Sequence, residues 1–447
     1  MDVELNIPKS NKPRVVVIGG GFAGIEFSRA LPEEDFQLVM IDRNNYHTFQ
    51  PLLYQVATAG LEPDSIASPL RKMFDNRSNY YFRWTSVEKI IPQENYILTG
   101  IGRLDFDILV IAAGSKTNFF GNKEMSERAF EMKQIPQALD LRSQILQNFE
   151  KATITADPLE RDSLMDYVIV GGGPTGVELS GALAELKTHV LPSDYPELDF
   201  SLMNIYLIEG SPTLLGPMSK FSQEKAFKYL HKMGVEIKLN ARVQSYDGKK
   251  VKLVDGTEIN SSTVIWAAGV SGSIIDGLKE ESIFKGRYKV DEYNKIIGSE
   301  NIYAIGDIAA MVSTKNPNGH PMVSPVAMQQ GKNLGNNLKR KLKNETLKPF
   351  EYFDKGSMAT VGRNKAIVDF PHPFDKLHLG GIFAWMAWMF VHIFYITVFR
   401  NKLLIFINWL WSYLTYDKGN RLIIRPFKRE SNKPQAEIKE LYETKVE

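Results

Sequence analysis

The sequence predicts an α/β chain made of two similar halves followed by an apolar helical region. Three observations carry this. VVVI at residues 15–18 runs straight into GGGFAG at 19–24, and YVIV at 167–170 runs straight into GGGPTG at 171–176. Each glycine loop is followed by helical spacing (25–31 and 177–189) and then by an apolar strand that ends on an acid, Asp42 in the first half and Glu209 in the second. Two uncharged stretches, 379–399 and 403–416, then follow one another near the C-terminal end. A lone G-x-G-x-x-G is weak evidence; two copies with matching flanks are strong.

The repeat extends further. Asp42 lies 23 residues past Gly19, and Glu209 lies 38 past Gly171 because a polar, proline-bearing insert at 191–200 lengthens the crossover. Residues 108–113 run into Gly114-Ser115, and 264–268 run into Gly269-Val270, 95 and 98 residues after the respective first glycines. The chemistry of such a unit is specific. Gly19 and Gly171 permit the tight turn, Gly21 and Gly173 let backbone approach a pyrophosphate, and Gly24 and Gly176 allow close helix–strand packing. The helix N-terminus presents free N–H groups to phosphate, and the acid accepts ribose hydroxyls. Both halves therefore read as Rossmann-like dinucleotide-binding domains. Between them, 117–164 forms a connector with an amphipathic helix over 135–150.

Composition narrows the chemistry. A chain of 447 residues with 43% hydrophobic and 24% charged residues is a folded protein of about three domains. A net charge of +2 argues against nucleic acid as a partner. There is no cysteine, so disulfides, thiolate metal sites and redox dithiols are excluded, and electron chemistry falls to a bound cofactor. The seven histidines show no metal-ligand spacing, so no metal site is expected. The first residues show no apolar signal core, so the catalytic body is expected to stay in the cytoplasm.

A third shared element, NIYAIGD at 301–307, is a strand ending in Gly-Asp. It resembles the two-dinucleotide flavoprotein reductases, in which an Asp here bonds the FAD ribityl chain. The resemblance implies FAD in the first domain, held by Gly19, Gly21, Gly24, Asp42, Gly114 and Asp307. It implies NADH in the second, inserted domain, held by Gly171, Gly173, Gly176, Glu178, Glu209 and Gly269. The expected division is 1–120 with 290–345 for FAD, 121–289 for NADH, and 346–447 as a C-terminal domain. Asp307 also reads as a plain helix N-cap. Glu209 favours NADH over NADPH, and GSPT at 210–213 offers no arginine for a 2′-phosphate.

NNYHTFQPLLYQVAT at 44–58, TGVEL at 175–179, VAMQQG at 326–331 and WLWSYLTYD at 409–417 resemble the type II, non-proton-pumping NADH:quinone oxidoreductases. The matches run from about Val15 to Arg421. The resemblance implies a monotopic homodimer that takes hydride from NADH onto FAD and reduces a membrane quinone, ubiquinone or menaquinone. Glu178 would lie near the nicotinamide and the flavin edge, and Gln329, the last glutamine of the family's A-Q-x-A-x-Q signature, on the quinone side. The signature's opening Ala-Gln is Ser324-Pro325 here, and Gln330 is the substitute amide. Neutral amides suit a quinone that gathers negative charge in an apolar pocket. Read without the family, Gln329 and Gln330 decorate a helix, Glu178 is a first-turn glutamate beside the helix dipole, and His47 is a proton donor or a packed loop ring. Two other functions compete: a soluble flavin reductase serving a small electron carrier, and an NADH-sensing membrane scaffold.

The first apolar stretch, with 21 residues, is about long enough to span a bilayer; the second, with 14, is too short. Trp385, Trp388, Trp409 and Trp411 are four of the chain's six tryptophans, and indoles favour a membrane interface. Trp385, Trp388, His392 and Tyr395 share one helical side, as do Asn408, Ser412 and Thr415. Lys376, Arg400, Lys402, Lys418, Arg421, Arg425, Lys428 and Arg429 frame the stretches. That frame favours helices lying in the cytoplasmic face of the cell membrane, with a single span over 380–399 as the alternative. The charged tail 430–447 is expected to be solvated.

Overall fold

The computed structural model describes residues 5–396, 398–416 and 418–428. Arg429 and the tail 430–447 lie outside the described residues, as does Asp417 of the WLWSYLTYD motif. Two five-stranded parallel sheets carry the chain, and their strand orders correspond. In the first, Arg14–Ile18 is central between Gln37–Asp42 and Ile108–Ile111, with Tyr80–Trp84 and Ile302–Ala304 at the edges. In the second, Tyr167–Val170 is central between Ile205–Ile208 and Thr263–Trp266, with Val235–Lys238 and Phe130–Glu131 at the edges. The central strands are continuous apolar runs because both faces of each sheet are covered, and Val15, Val16 and Val17 are fully buried. Ile302–Ala304 completes the first sheet by pairing with Ile108–Ile111, after the whole second sheet has intervened. Ser115–Thr117 pairs antiparallel with Val270–Gly272, so the two crossings between the halves run side by side.

The repeat has one more layer. A three-stranded antiparallel meander accompanies each sheet, Val87–Ile91 to Gly102–Asp105 in the first half and Val243–Tyr246 to Glu258–Asn260 in the second. The connector helix, Ile135–Ile154, runs one turn longer than its periodicity predicts; Gln137 accepts the Gln134 N–H at its start. Pro158–Met165 adds a short helix capped by Asp157.

The C-terminal region differs from its sequence-based expectation. The stretch 379–399 is not one helix. His378–Gly381 is the last strand of a three-stranded antiparallel sheet with Ser357–Gly362 and Lys365–Asp369. Gly381, at φ +86°, turns the chain into the helix Ile382–Tyr395, and a second helix, Phe399–Thr415, begins after Ile396 has gone extended. A 14-residue helix reaches about 21 Å, short of the roughly 30 Å of a bilayer core. Among the described residues no helix is long and apolar enough to cross a membrane.

The faces of the two helices are also assigned differently. Trp388 is 2% exposed and His392 stacks on it at 4.0 Å, so the aromatic side turns inward. Outward point Phe383 (73% exposed), Met386, Phe390 (72%) and Phe394 on the first helix, and Leu403, Phe406, Ile407, Leu410, Trp411 and Leu414 on the second. The reason is partner demand. The His392 imidazole, the Asn401 and Asn408 amides and the Trp409 indole find hydrogen-bond partners inside the protein, whereas Phe and Leu need none. Asn401 donates to Asp64 O (3.0 Å) and Ala67 O (2.9 Å), Asn408 to Glu62 (2.7 Å), and Trp409 Nε1 to Gln55 Oε1 (2.7 Å). The second helix is thereby latched to residues 55–67 of the first half. Part of the basic frame is used internally as well. Lys418 stands 3.9 Å from Glu185, Arg421 bonds Asp194 at 2.6 Å, and Arg425 bonds Asp140 at 3.2 Å.

Candidate active site

The two glycine turns are near-copies in three dimensions. Gly19 (φ +108°) and Gly171 (φ +112°) make the turns. A Cβ on Gly24 would stand 2.0 Å from Gly19 O, and one on Gly176 would stand 1.9 Å from Gly171 O, so only glycine lets each helix close on its strand. At Gly21 and Gly173 a Cβ would meet nothing within 4 Å. These two are the N-caps of Phe22–Ala30 and Pro174–His189, with no side chain satisfying the helix N-termini, so bare backbone faces open space there. That arrangement fits a pyrophosphate at each turn.

The acids are fixed in the same way. Asp42 Oδ2 accepts the Gly20 N–H (2.6 Å) and Oδ1 the Asn44 N–H (2.7 Å). Glu209 Oε2 accepts the Gly172 N–H (2.6 Å) and Oε1 the Ser211 N–H (2.7 Å). Each carboxylate keeps further lone pairs for ribose hydroxyls. Burial pushes the Asp42 carboxyl up from its ordinary value, against its two backbone N–H bonds. Gly114 (φ +66°) and Gly269 (φ +153°) take left-handed turns where the two halves meet, and the Phe120 ring lies beside Gly269.

Asp307 accepts a 2.5 Å bond from Ser115 Oγ and stands 3.8 Å from Lys133 Nζ. Burial lowers the Lys133 pKa and Asp307 partly restores it. Sequence reading missed both partners, because Lys133 precedes the connector helix and carries no motif. Asp307 lies in the 3-10 turn Gly306–Ile308 rather than at an α-helix N-terminus. His47 bonds Gly20 O through Nδ1 (3.1 Å) and packs on Phe22, and burial lowers its pKa to about 4. A ring neutral at physiological pH is no standing proton donor.

Glu178 lines a partly open cavity of about 110 Å³ with Tyr54, Glu185, Arg363, Trp388 and Lys418. Its helix lies flush on the C-terminal sheet, since a Cβ on Gly181 would collide with Val361 O at 1.8 Å. Burial pushes the Glu178 carboxyl up to about 8, opposed by a long 3.5 Å contact from Thr360 N–H and by the nearby Trp388 indole. That indole N–H is buried and falls short of hydrogen-bond geometry with any described partner. The cavity thus joins a proton-holding acid to the inward side of the two apolar helices.

The glutamines sit elsewhere. Both lie on the helix Ser324–Leu342, whose N-terminal part packs on Gly306 through Ala327. Gln330 is buried, and its Oε1 accepts the Gly306 N–H (2.8 Å) beside Asp307. Gln329 donates to Phe353 O (2.9 Å) and accepts Phe353 N–H (3.0 Å), tying the helix to the strand-side loop. It borders a surface groove of about 600 Å³ with Lys332, Asn333 and Phe350. Of the three catalytic candidates, Glu178 alone lines this cavity.

Known proteins share this architecture. The family described as pyridine nucleotide-disulphide oxidoreductase matches residues 13–331, and the NDH2 C-terminal domain matches 355–416. A type II NADH:quinone oxidoreductase of Mycobacterium tuberculosis is 35% identical over 426 residues, covering 92% of this chain and 90% of its own. A type II NADH:quinone oxidoreductase of Staphylococcus aureus is 29% identical over 364 residues, covering 80% and 89%. The structure of NDH2 from Plasmodium falciparum in complex with NADH superposes with a TM-score of 0.85 at 21% identity, covering 93% of this chain and 100% of that one. With the two family models covering 13–331 and 355–416 and a relative 35% identical over 92% of the chain, this protein belongs to the type II NADH:quinone oxidoreductases.

Proposed function

We propose that this chain oxidises NADH and reduces a membrane quinone without pumping protons, working from one leaflet of the membrane as a homodimer. The carrying observation is the Glu178 pocket, lined on one side by the helix that follows the second glycine turn and on the other by the inward side of two helices whose outer faces are largely apolar. FAD, when bound, would supply the two-electron chemistry that links NADH to quinone. The residues of the chain do the rest.

Gly19, Gly21 and Gly24 with Asp42 hold the flavin dinucleotide, Ser115 and Asp307 orient its ribityl chain, and Gly114 turns the backbone beside it. Gly171, Gly173, Gly176, Glu209 and Gly269 bind NADH. Overall, NADH, one proton and quinone give NAD⁺ and quinol, so one proton must come from water to a buried site. Glu178 suits this: with a pKa near 8 it is mostly protonated at neutral pH and can pass a proton to a quinone oxygen. Gln330 braces the Asp307 turn. Gln329 reaches a quinone carbonyl only by releasing Phe353.

The outward Phe383, Met386, Phe390, Phe394, Leu403 and Phe406 side chains form the lipid surface. Among the described residues no helix is long and apolar enough to span, so none there carries a ladder of ionisable groups for pumping. Proteoliposomes test the reading. NADH oxidation should require added quinone, leave the internal pH unchanged and ignore uncoupler. Turnover that accelerates sharply with uncoupler, or no quinone dependence, would remove it. Sedimentation equilibrium of the detergent-solubilised protein tests the dimer.

A further inference from the structure

The residues that follow Glu209, Gly210-Ser211-Pro212-Thr213, contain no cation. The fold brings one there from another segment. Asn240 N–H donates to Ser211 O (3.1 Å) and Ala241 N–H donates to Glu209 O (2.9 Å), so 240–242 is laced along the loop behind the acid. Arg242 comes next. A Cβ built on Gly210 would stand 3.5 Å from its Nε and 3.6 Å from its Cγ. Its side chain is exposed and makes no hydrogen bond or ion pair among the described residues.

We propose that Arg242 is a latent receptor for the 2′-phosphate of NADPH, kept silent by the Glu209 carboxylate. The inference rests on reading Glu209 as the ribose acid. In such domains an acid accepts the ribose 2′-hydroxyl, whereas a nearby arginine accommodates a 2′-phosphate. Here both stand at one loop. The carboxylate dominates because two short N–H bonds hold it at the turn, while the guanidinium is exposed and screened by water. Gly210 leaves the space between them clear of side chain. If the Glu209 charge is removed, the planar guanidinium is left to pair with phosphate oxygens.

The experiment compares the wild type with Glu209→Gln, Glu209→Gln/Arg242→Ala and Glu209→Gln/Arg242→Lys. Glutamine keeps an acceptor for the Gly172 N–H, and retained flavin absorbance reports an intact fold. The ratio of kcat/KM for NADPH to that for NADH should rise about tenfold or more in E209Q, as expected for one charge-assisted contact. It should return to the wild-type ratio when Arg242 becomes Ala, and keep part of the gain when it becomes Lys. Calorimetry adds a readout independent of turnover: 2′,5′-ADP should bind E209Q tighter than 5′-ADP does, and lose that preference in E209Q/R242A. A ratio unchanged in E209Q, or still raised without Arg242, overturns the proposal. The two failures separate. If E209Q also leaves KM for NADH unchanged, Glu209 is not the ribose acid. If KM rises but the ratio stays flat, only the role of Arg242 fails.

Discussion

The two dinucleotide turns share a backbone and differ in their surroundings. Around the first, Asp42 lies beside Tyr46 and Tyr80, His47 closes over Gly20, and Asp307 arrives from a strand added by a distant part of the chain. Around the second, Glu209 is followed by an open loop with an exposed arginine beside it. A turn walled in by packed groups suits a cofactor that stays, and an open one suits a substrate that leaves after each turnover. On the proposed assignment, one motif serves retention in one half and exchange in the other, and the walls make the difference.

Equal lesions in the two halves should therefore have unequal consequences. The largest is at the third glycines. Gly24→Ala forces a Cβ against Gly19 O and should cost about 3 kcal/mol, with loss of bound flavin and of soluble protein. Gly176→Ala meets the same clash, yet should leave flavin-to-protein absorbance closer to normal while abolishing bleaching by NADH. Equal flavin loss in both would break the comparison. Next is Glu178→Gln, which should lower quinone-dependent kcat by roughly 10²-fold or more while sparing the bleaching step. The sign follows from its raised pKa: the carboxyl is protonated below about 8, so wild-type kcat should fall as pH rises through that value, and the fall should vanish in the variant. Smaller again are the acids. Asp42→Ala should release flavin, whereas Glu209→Ala should keep it and raise KM for NADH about tenfold. Sparing turnover altogether is Phe390→Ser on the outer face, where about 2 kcal/mol of lipid burial is lost and vesicle binding should fall some thirtyfold with soluble-quinone turnover intact.

Local signals made most of the scaffold legible. Strand, glycine turn, helix and acid are contiguous, so the sequence placed Gly19, Gly24, Asp42, Gly171, Gly176 and Glu209 within single units of fold. What it could not place depends on distant segments. Arg242 reaches Gly210 through the strand Val235–Lys238, and Lys133 reaches Asp307 across the interface of the two halves. Helical periodicity identified two faces on Ile382–Tyr395, but not which one turns inward; only the partners of Trp388, His392, Asn401 and Trp409 decide that. The break between the helices did leave a trace. Gly380-Gly381 and the β-branched run Ile396-Thr397-Val398 are poor helix formers, and both flank the helix that hydropathy alone extended over 379–399.

The central claim is one retained and one exchanging dinucleotide, with electrons leaving to quinone through the Glu178 side. Anaerobic stopped-flow on the purified, flavin-loaded protein tests it most directly. NADH should bleach the flavin absorbance with release of NAD⁺, and a short-chain quinone added afterwards should restore it within a turnover time. Bleaching that quinone does not reverse, or flavin that washes out with each exchange of nicotinamide, would contradict the account.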